Sequence, residues 1–106
     1  MAGLGDFTGL LKQAQKMQKE MGRVQEELKD RVVEGSSGGG MVTVHVNGNM
    51  DVLAIKIDPE VIDPKEAEML EDLILAAVKQ GVEKARELGK KELGKLTGGL
   101  SLPGMF

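Results

Sequence analysis

Cysteine, tryptophan and tyrosine are absent from this chain of 106 residues, and aromatic side chains are confined to Phe7 and Phe106. The lack of cysteine excludes disulfides, thiol catalysis and the commonest structural zinc sites, and the single His45 cannot build a histidine cluster. Scarce aromatics remove the platforms on which single-stranded nucleic acid usually stacks, which counts against RNA as a ligand. No apolar run is long enough to span a bilayer, and the opening MAGLGDFTGL has neither the basic leader nor the apolar stretch of a secretory signal. One cytoplasmic domain with no membrane partner is therefore expected. Catalysis has nothing to stand on: Glu71 and Asp72 are neighbours on a helix and point in different directions, and no activated nucleophile or metal set can be assembled. No enzyme activity, cofactor or small-molecule substrate is expected.

What the chain does have is a regular opening helix. Apolar residues recur at steps of three and four from Phe7 through Leu10, Ala14, Met17, Met21 and Val24 to Leu28. Such spacing reserves one helical face for a partner. Two residues after four of these positions, and so about 200° around the helix, stand Lys12, Lys16, Lys19 and Arg23. An apolar seam thus backs onto a basic stripe.

The net charge of −3 argues against a polyanionic partner until its distribution is considered. Residues 7–31 hold six basic side chains against four acidic, and residues 79–95 hold six (Lys79, Lys84, Arg86, Lys90, Lys91 and Lys95) against three. Between them, residues 32–78 carry only Lys56 and Lys65 against nine carboxylates. The ends are basic and the middle is acidic. The plainer account is that both basic stretches are solvated helix faces, with the terminal lysines of the second answering its dipole.

Along the chain, residues 7 to about 31 are expected to form the first helix, with Lys29 and Arg31 at its carboxyl end. Val32 and Val33 lead into Gly35-Ser36-Ser37-Gly38-Gly39-Gly40, expected as a flexible hairpin loop without the lysine of a nucleotide-cradling loop. Val42, Val44 and Val46 alternate with Thr43, His45 and Asn47, and Asn47-Gly48 signals a two-residue type I′ turn. That turn would set Val42 opposite Leu53 and continue the apolar face through Ile55 and Ile57. Asp58-Pro59 ends the third strand. Asp63-Pro64-Lys65-Glu66 then supplies an N-cap, a first-turn proline and a capping carboxylate for a second long helix. Its apolar positions Leu70, Ile74, Ala77, Gly81, Ala85 and Leu88 keep to one face, and the small residues Ala77, Gly81 and Ala85 mark a place where another backbone comes close. The expected fold is α+β, in the order α-β-β-β-α, with a small antiparallel three-stranded sheet. A single domain over residues 1–98 would be followed by a flexible tail, 99–106.

The helices, about 37 and 45 Å long, outrun strands of about 23 Å. They should project as arms, and the small open-edged sheet invites a homodimer. The expected seams, within a chain or between chains, are Leu10, Ala14, Met17, Met21, Val24 and Leu28 of the first helix and Ala77, Gly81 and Ala85 of the second.

The order of elements and several segments resemble the YbaB/EbfC family of bacterial nucleoid-associated proteins. The resemblance covers nearly the whole chain. It is carried by Leu10-Leu11-Lys12-Gln13-Ala14 with Met17, by Gly40-Met41-Val42-Thr43-Val44 and Asn47-Gly48, and by Ile57-Asp58-Pro59. It continues through Leu70-Glu71-Asp72-Leu73 with Ala76-Ala77, to Thr97-Gly98-Gly99-Leu100 and Leu102-Pro103-Gly104-Met105-Phe106. It implies a homodimer whose helical arms project like tweezers, bind duplex DNA, and organise the nucleoid or influence transcription. The acidic middle of this chain assigns any DNA contact to the arms. The residues expected to meet phosphates are Lys12, Lys16, Lys19 and Arg23, with Lys84, Arg86, Lys90, Lys91 and Lys95. Contacts of this kind position a protein without reading sequence. The rival expectation is a dimeric interaction module that holds a replication, repair or transcription protein without touching DNA.

Overall fold

The computed structural model describes residues 2–96; the expected tail, 99–106, lies outside them. The order of elements is α1 (Ala2–Lys29), β1 (Val32–Ser37), β2 (Val42–Asn47), β3 (Val52–Ile57) and α2 (Ala67–Leu96), with single 3-10 turns at Gly38–Gly40, Pro59–Val61 and Pro64–Glu66. The strands form one antiparallel meander in the order β1-β2-β3. The expected α-β-β-β-α architecture is therefore the observed one.

Local chemistry accounts for most boundaries. The Asp58 carboxylate accepts from the Glu60 backbone N–H at 3.0 Å and the Asp63 carboxylate from that of Lys65 at 3.0 Å, each ahead of a proline. These two caps turn the chain from β3 into α2. The first helix begins at Ala2 rather than Phe7, because Gly3 and Gly5 weaken helix propensity without ending the helix.

Two expectations are corrected. The glycine-serine stretch is not all loop: Gly35, Ser36 and Ser37 belong to β1, and only Gly38–Gly40 turn, with positive φ at all three glycines. Tertiary contacts outweigh local propensity here. The Ser37 hydroxyl donates to the Leu73 carbonyl at 2.5 Å, and the Ser36 backbone N–H donates to Oε1 of Gln80 at 2.7 Å. The second correction concerns register. Val42 pairs with Ile57, not Leu53, and an irregularity beside His45 and Val46 leaves Leu53 without a cross-strand partner. Asn47 remains in the strand, and its side-chain oxygen accepts from the backbone N–H groups of Asn49 and Asp51, both at 3.0 Å. The turn is accordingly three residues long, and the left-handed backbone falls on Met50 (φ 67°).

The core lies between α2 and the first two strands. Val42, Val44 and Val46 are fully buried with Ala77 and Ala85, ringed by Val33, Leu70, Leu73, Ile74, Val78 and Val82. The small-residue stripe is what lets α2 sit down on the sheet. A Cβ at Gly35 would lie 2.1 Å from the Ala77 carbonyl oxygen and 2.4 Å from the Gly81 nitrogen. The backbone that Ala77 and Gly81 approach is thus β1 of the same chain.

Helix α2 does not cover the third strand equally. Ile55 pairs with Val44 and shares its face, yet Val44 has no exposed surface while Ile55 is 47% exposed. Leu53 beside it is also exposed, as are Ile62 and Met69 where the chain passes from β3 into α2. One edge of the inner sheet face is left bare.

Candidate nucleic-acid interface

Both helices leave the sheet at its β2–β3 hairpin. The carboxyl end of α1 is fastened there: the Gly48 backbone N–H donates to the carbonyls of Leu28 (2.8 Å) and Arg31 (2.9 Å), and Val24 and Leu28 are buried. Gly48 is not in a left-handed conformation; a Cβ on it would meet the Leu28 carbonyl oxygen at 2.7 Å. Beyond this point α2 runs antiparallel to α1 until Leu96 comes to line a cleft with Met17 and Ala14. Among the described residues nothing accompanies the rest of α1, and the molecule measures 76 × 24 × 18 Å. The arms are therefore real features of a single chain.

The predicted basic residues lie on α1 and α2, in two electrostatic states; Lys84 and Arg86 flank the core residue Ala85 at the root of the α2 arm. Lys12, Lys16, Lys19, Lys84, Lys90 and Lys91 are exposed, and none of them is in an ion pair among the described residues. The other three are engaged by carboxylates of their own helix. Arg23 reaches Glu20 at 2.8 Å and Glu27 at 2.6 Å, Lys95 reaches Glu92 at 3.2 Å, and Arg86 pairs with Glu83. The hydrogen bond that Arg23 donates to Glu20, then the charges of Glu20 and Glu27, raise the Arg23 guanidinium above its ordinary value. Arg23 keeps its charge at any working pH, but the field it offers a phosphate is largely cancelled. The open lysines of α1 form one tight stripe. On α2 the spacing sets Lys84, Lys91 and Lys95 on one face and Arg86 with Lys90 on another.

Seven of the nine carboxylates of the chain's middle lie at the other end of the molecule; Glu34 is on β1 and Asp51 in the hairpin. Asp58, Glu60, Asp63, Glu66, Glu68, Glu71 and Asp72 are exposed around the entry to α2, opposite the hairpin from which the arms depart. Negative charge gathered at that end disfavours a polyanion there. On the outer sheet face His45 is half-buried and its Nε2 meets Glu34 at 2.8 Å, a local cross-strand pair outside the basic arms.

One feature of the arm could not be read linearly. Arg86 and Lys90 stand with Gln25 of α1 and Asn49 and Met50 of the hairpin around a cleft of about 340 Å³, and the Asn49 amide donates to the Gln25 carbonyl at 3.2 Å. Three separate elements meet here, and no spacing in the sequence signals it. The engaged state of Arg23 makes a prediction. A Glu20→Gln, Glu27→Gln chain frees the guanidinium and removes two negative charges beside the α1 stripe. Its duplex affinity at low salt is expected to rise severalfold, read by anisotropy, whereas unchanged affinity would remove Arg23 from the interface.

Comparison with known proteins gives a consistent result. The profile of the YbaB/EbfC DNA-binding family matches residues 3–100. A nucleoid-associated protein of Acetivibrio thermocellus is 55% identical over 103 residues, covering 96% of this chain and 91% of the relative. Another from Alkaliphilus metalliredigens is 48% identical over 106 residues, covering 100% and 93%. Among solved structures, an uncharacterized protein from Helicobacter pylori superposes with a TM-score of 0.72 at 29% identity, covering 89% of this chain and 96% of that one.

Proposed function

Since this chain belongs to the YbaB/EbfC family of nucleoid-associated DNA-binding proteins, which is not an enzyme family, we propose that it acts as a homodimer whose paired arms hold duplex DNA through phosphate contacts at the nucleoid. The observation that carries this reading is the separation of charge: lysines along the two helices that have no ion pair among the described residues, and a cluster of seven exposed carboxylates at the opposite end. Each lysine that neutralises a phosphate releases counterions, so binding is favourable at low salt and weakens steeply as salt rises. Exposed, flexible lysines with no rigid cluster at a helix start favour positioning over base reading. The role that follows is DNA organisation or modulation of transcription rather than recognition of one operator.

The bare inner face of β3 supports dimerisation. An apolar strand face left open beside a closed one is what a second copy covers, and self-association would give the assembly two pairs of arms. Ile55→Asp is expected to shift sedimentation from dimer to monomer with its far-ultraviolet helix signal retained, while Leu10→Asp on the arm leaves the dimer intact. The reverse pattern would move the seam to α1.

The functional test is anisotropy of a labelled, arbitrary-sequence duplex of about 30 base pairs, titrated at several salt concentrations and challenged with single-stranded DNA and RNA. Micromolar or tighter binding with a steep salt slope is expected, with weak competition by single strands. No binding at low salt would overturn the reading and turn attention to a protein partner of the arms.

A further inference from the structure

We propose that Met50, at the tip of the β2–β3 hairpin, is a wedge that enters the minor groove of bound duplex DNA and partly unstacks one base step, so that the protein bends the DNA it holds. The proposal rests on the DNA-binding reading above. Among the described residues, Met50 is the non-glycine residue whose backbone is left-handed (φ 67°), a conformation in which asparagine or glycine is the ordinary choice. Asn49 stands immediately before it, yet the strained position carries the methionine. Burial does not offset the strain: Met50 is 46% exposed and stands outside the valine core. The backbone beneath it is fastened both to the strand and to α1. The Met50 N–H donates to the Asn47 carbonyl at 2.9 Å, the Asn47 side-chain oxygen accepts from the backbone of Asn49 and Asp51, and the Asn49 amide donates to the Gln25 carbonyl at 3.2 Å. A flexible apolar side chain thus stands on a fixed mount.

The neighbours of Met50 suit a minor groove. Gln25, Asn49, Arg86 and Lys90 line one cleft of about 340 Å³ with it, and a cube of that volume is about 7 Å on a side, close to the groove's width of about 6 Å. Amides and basic side chains match the acceptors of that groove, and methionine is among the apolar residues that enter base steps beside them. Arg86 is held by Glu83, whereas Lys90 is exposed and in no ion pair among the described residues. A phosphate neutralised by Lys90 therefore brings its groove over Met50. Asp51, the hairpin's carboxylate, is engaged by the Asn47 amide at 3.3 Å. Such a wedge reads no base edge. It favours steps that unstack easily, pyrimidine–purine steps above all, which agrees with a protein that positions itself on DNA without recognising one operator.

The test uses the full-length protein and a duplex of about 20 base pairs with one central TA step between stiff A-tracts. 2-Aminopurine replaces the adenine of that step, and in a second copy of the duplex the two ends carry a donor and an acceptor dye. Saturating wild-type protein at low salt is expected to raise 2-aminopurine emission at least about threefold, through unstacking, and to raise energy transfer between the ends. Met50→Gly suits the left-handed backbone and is expected to melt within a few degrees of wild type. It should keep the salt slope of binding, because no phosphate contact is lost, yet leave both signals near those of free DNA. Met50→Leu keeps an apolar wedge and is expected to behave as wild type. Saturated binding by wild type with flat emission and unchanged transfer would overturn the wedge and leave the phosphate-held duplex standing, as would a Met50→Gly chain that raises both signals as wild type does. No binding of either duplex at low salt would instead overturn the DNA-binding reading, and the wedge with it.

Discussion

Lys12→Gln, Lys16→Gln and Lys19→Gln introduced together are expected to weaken duplex binding at least about 100-fold at roughly 100 mM salt, and to flatten the slope of log affinity against log salt by roughly 3 for each arm engaged. Three features of α1 set this magnitude. These lysines are exposed, they share one narrow stripe, and none is in an ion pair among the described residues. Glutamine keeps the length of the side chain and is nearly as good a helix former, so the arm itself persists. The matched control is Lys56→Gln with Lys65→Gln, two changes on the acidic body that should leave affinity and slope close to wild type. Arg23→Gln alone should cost less than any one of the three lysines, because Glu20 and Glu27 already occupy its guanidinium. Titration by anisotropy at four or five salt concentrations decides the matter. An unchanged slope in the triple variant would remove α1 from the interface.

Gly35→Ala should cost at least about 3 kcal/mol, the upper part of the range for overpacked sites. Its Cβ would fall 2.1 Å from the Ala77 carbonyl oxygen, 2.4 Å from the Gly81 nitrogen and 2.8 Å from the Gly81 Cα. All three are backbone atoms, so no side chain can swing aside and α2 must lift off β1. Lifting it exposes Ala77 and Ala85 and opens the valine core beneath. For a domain of this size the loss corresponds to a fall in melting temperature of about 12–24 °C. Gly81→Ala is the informative comparison. Its Cβ would meet mainly the Val46 Cγ2 methyl at 2.8 Å, and the helix gains about 1 kcal/mol from losing a glycine, so the net destabilisation should be the smaller of the two. Circular dichroism at 222 nm follows both, at one fixed protein concentration because self-association contributes to apparent stability. A Gly35→Ala chain melting within a few degrees of wild type would contradict the close seat.

How far the fold could be read from the sequence depended on whether the deciding interaction was local. Asp63-Pro64 announced the start of α2, and the alternating valines of β2 announced a strand with one buried face, because caps and period-2 patterns act over a few residues. Gly35 and Ser36 had the composition of a loop, and only the helix lying across them, forty residues later, makes them strand. At Asn47-Gly48 the local signal was real but answered a different need. Asn47 is used for its side-chain oxygen, and Gly48 for the space its missing Cβ leaves to Leu28, so the turn lengthened and the register moved. The small stripe of α2 correctly announced a close approach, while the identity of the approaching backbone is a tertiary fact. For the basic residues, position on the arms was legible. Which were engaged was legible in part: Glu20 and Glu27, Glu83 and Glu92 stand three or four residues from Arg23, Arg86 and Lys95, and no carboxylate stands at that spacing from Lys12 or Lys19. Lys84 and Lys90 each have Glu87 three residues away without pairing to it, and there only rotamers decide.

The two glycine seats also have a mechanical meaning. Helix α2 rests on Gly35 through Gly81, and α1 is pinned to Gly48 through Leu28, with backbone against backbone or nearly so. A bearing with no side chain in it has little play. About 40 Å from such a pivot, a tilt of only 10° would move the tip of an arm by about 7 Å, which is roughly two base pairs of rise along a duplex. The spacing at which two arms could grip their target is thus fixed by a few tenths of an ångström at the hinge end of the lever, so a single methyl group added there would miscalibrate the gauge long before it touched the load.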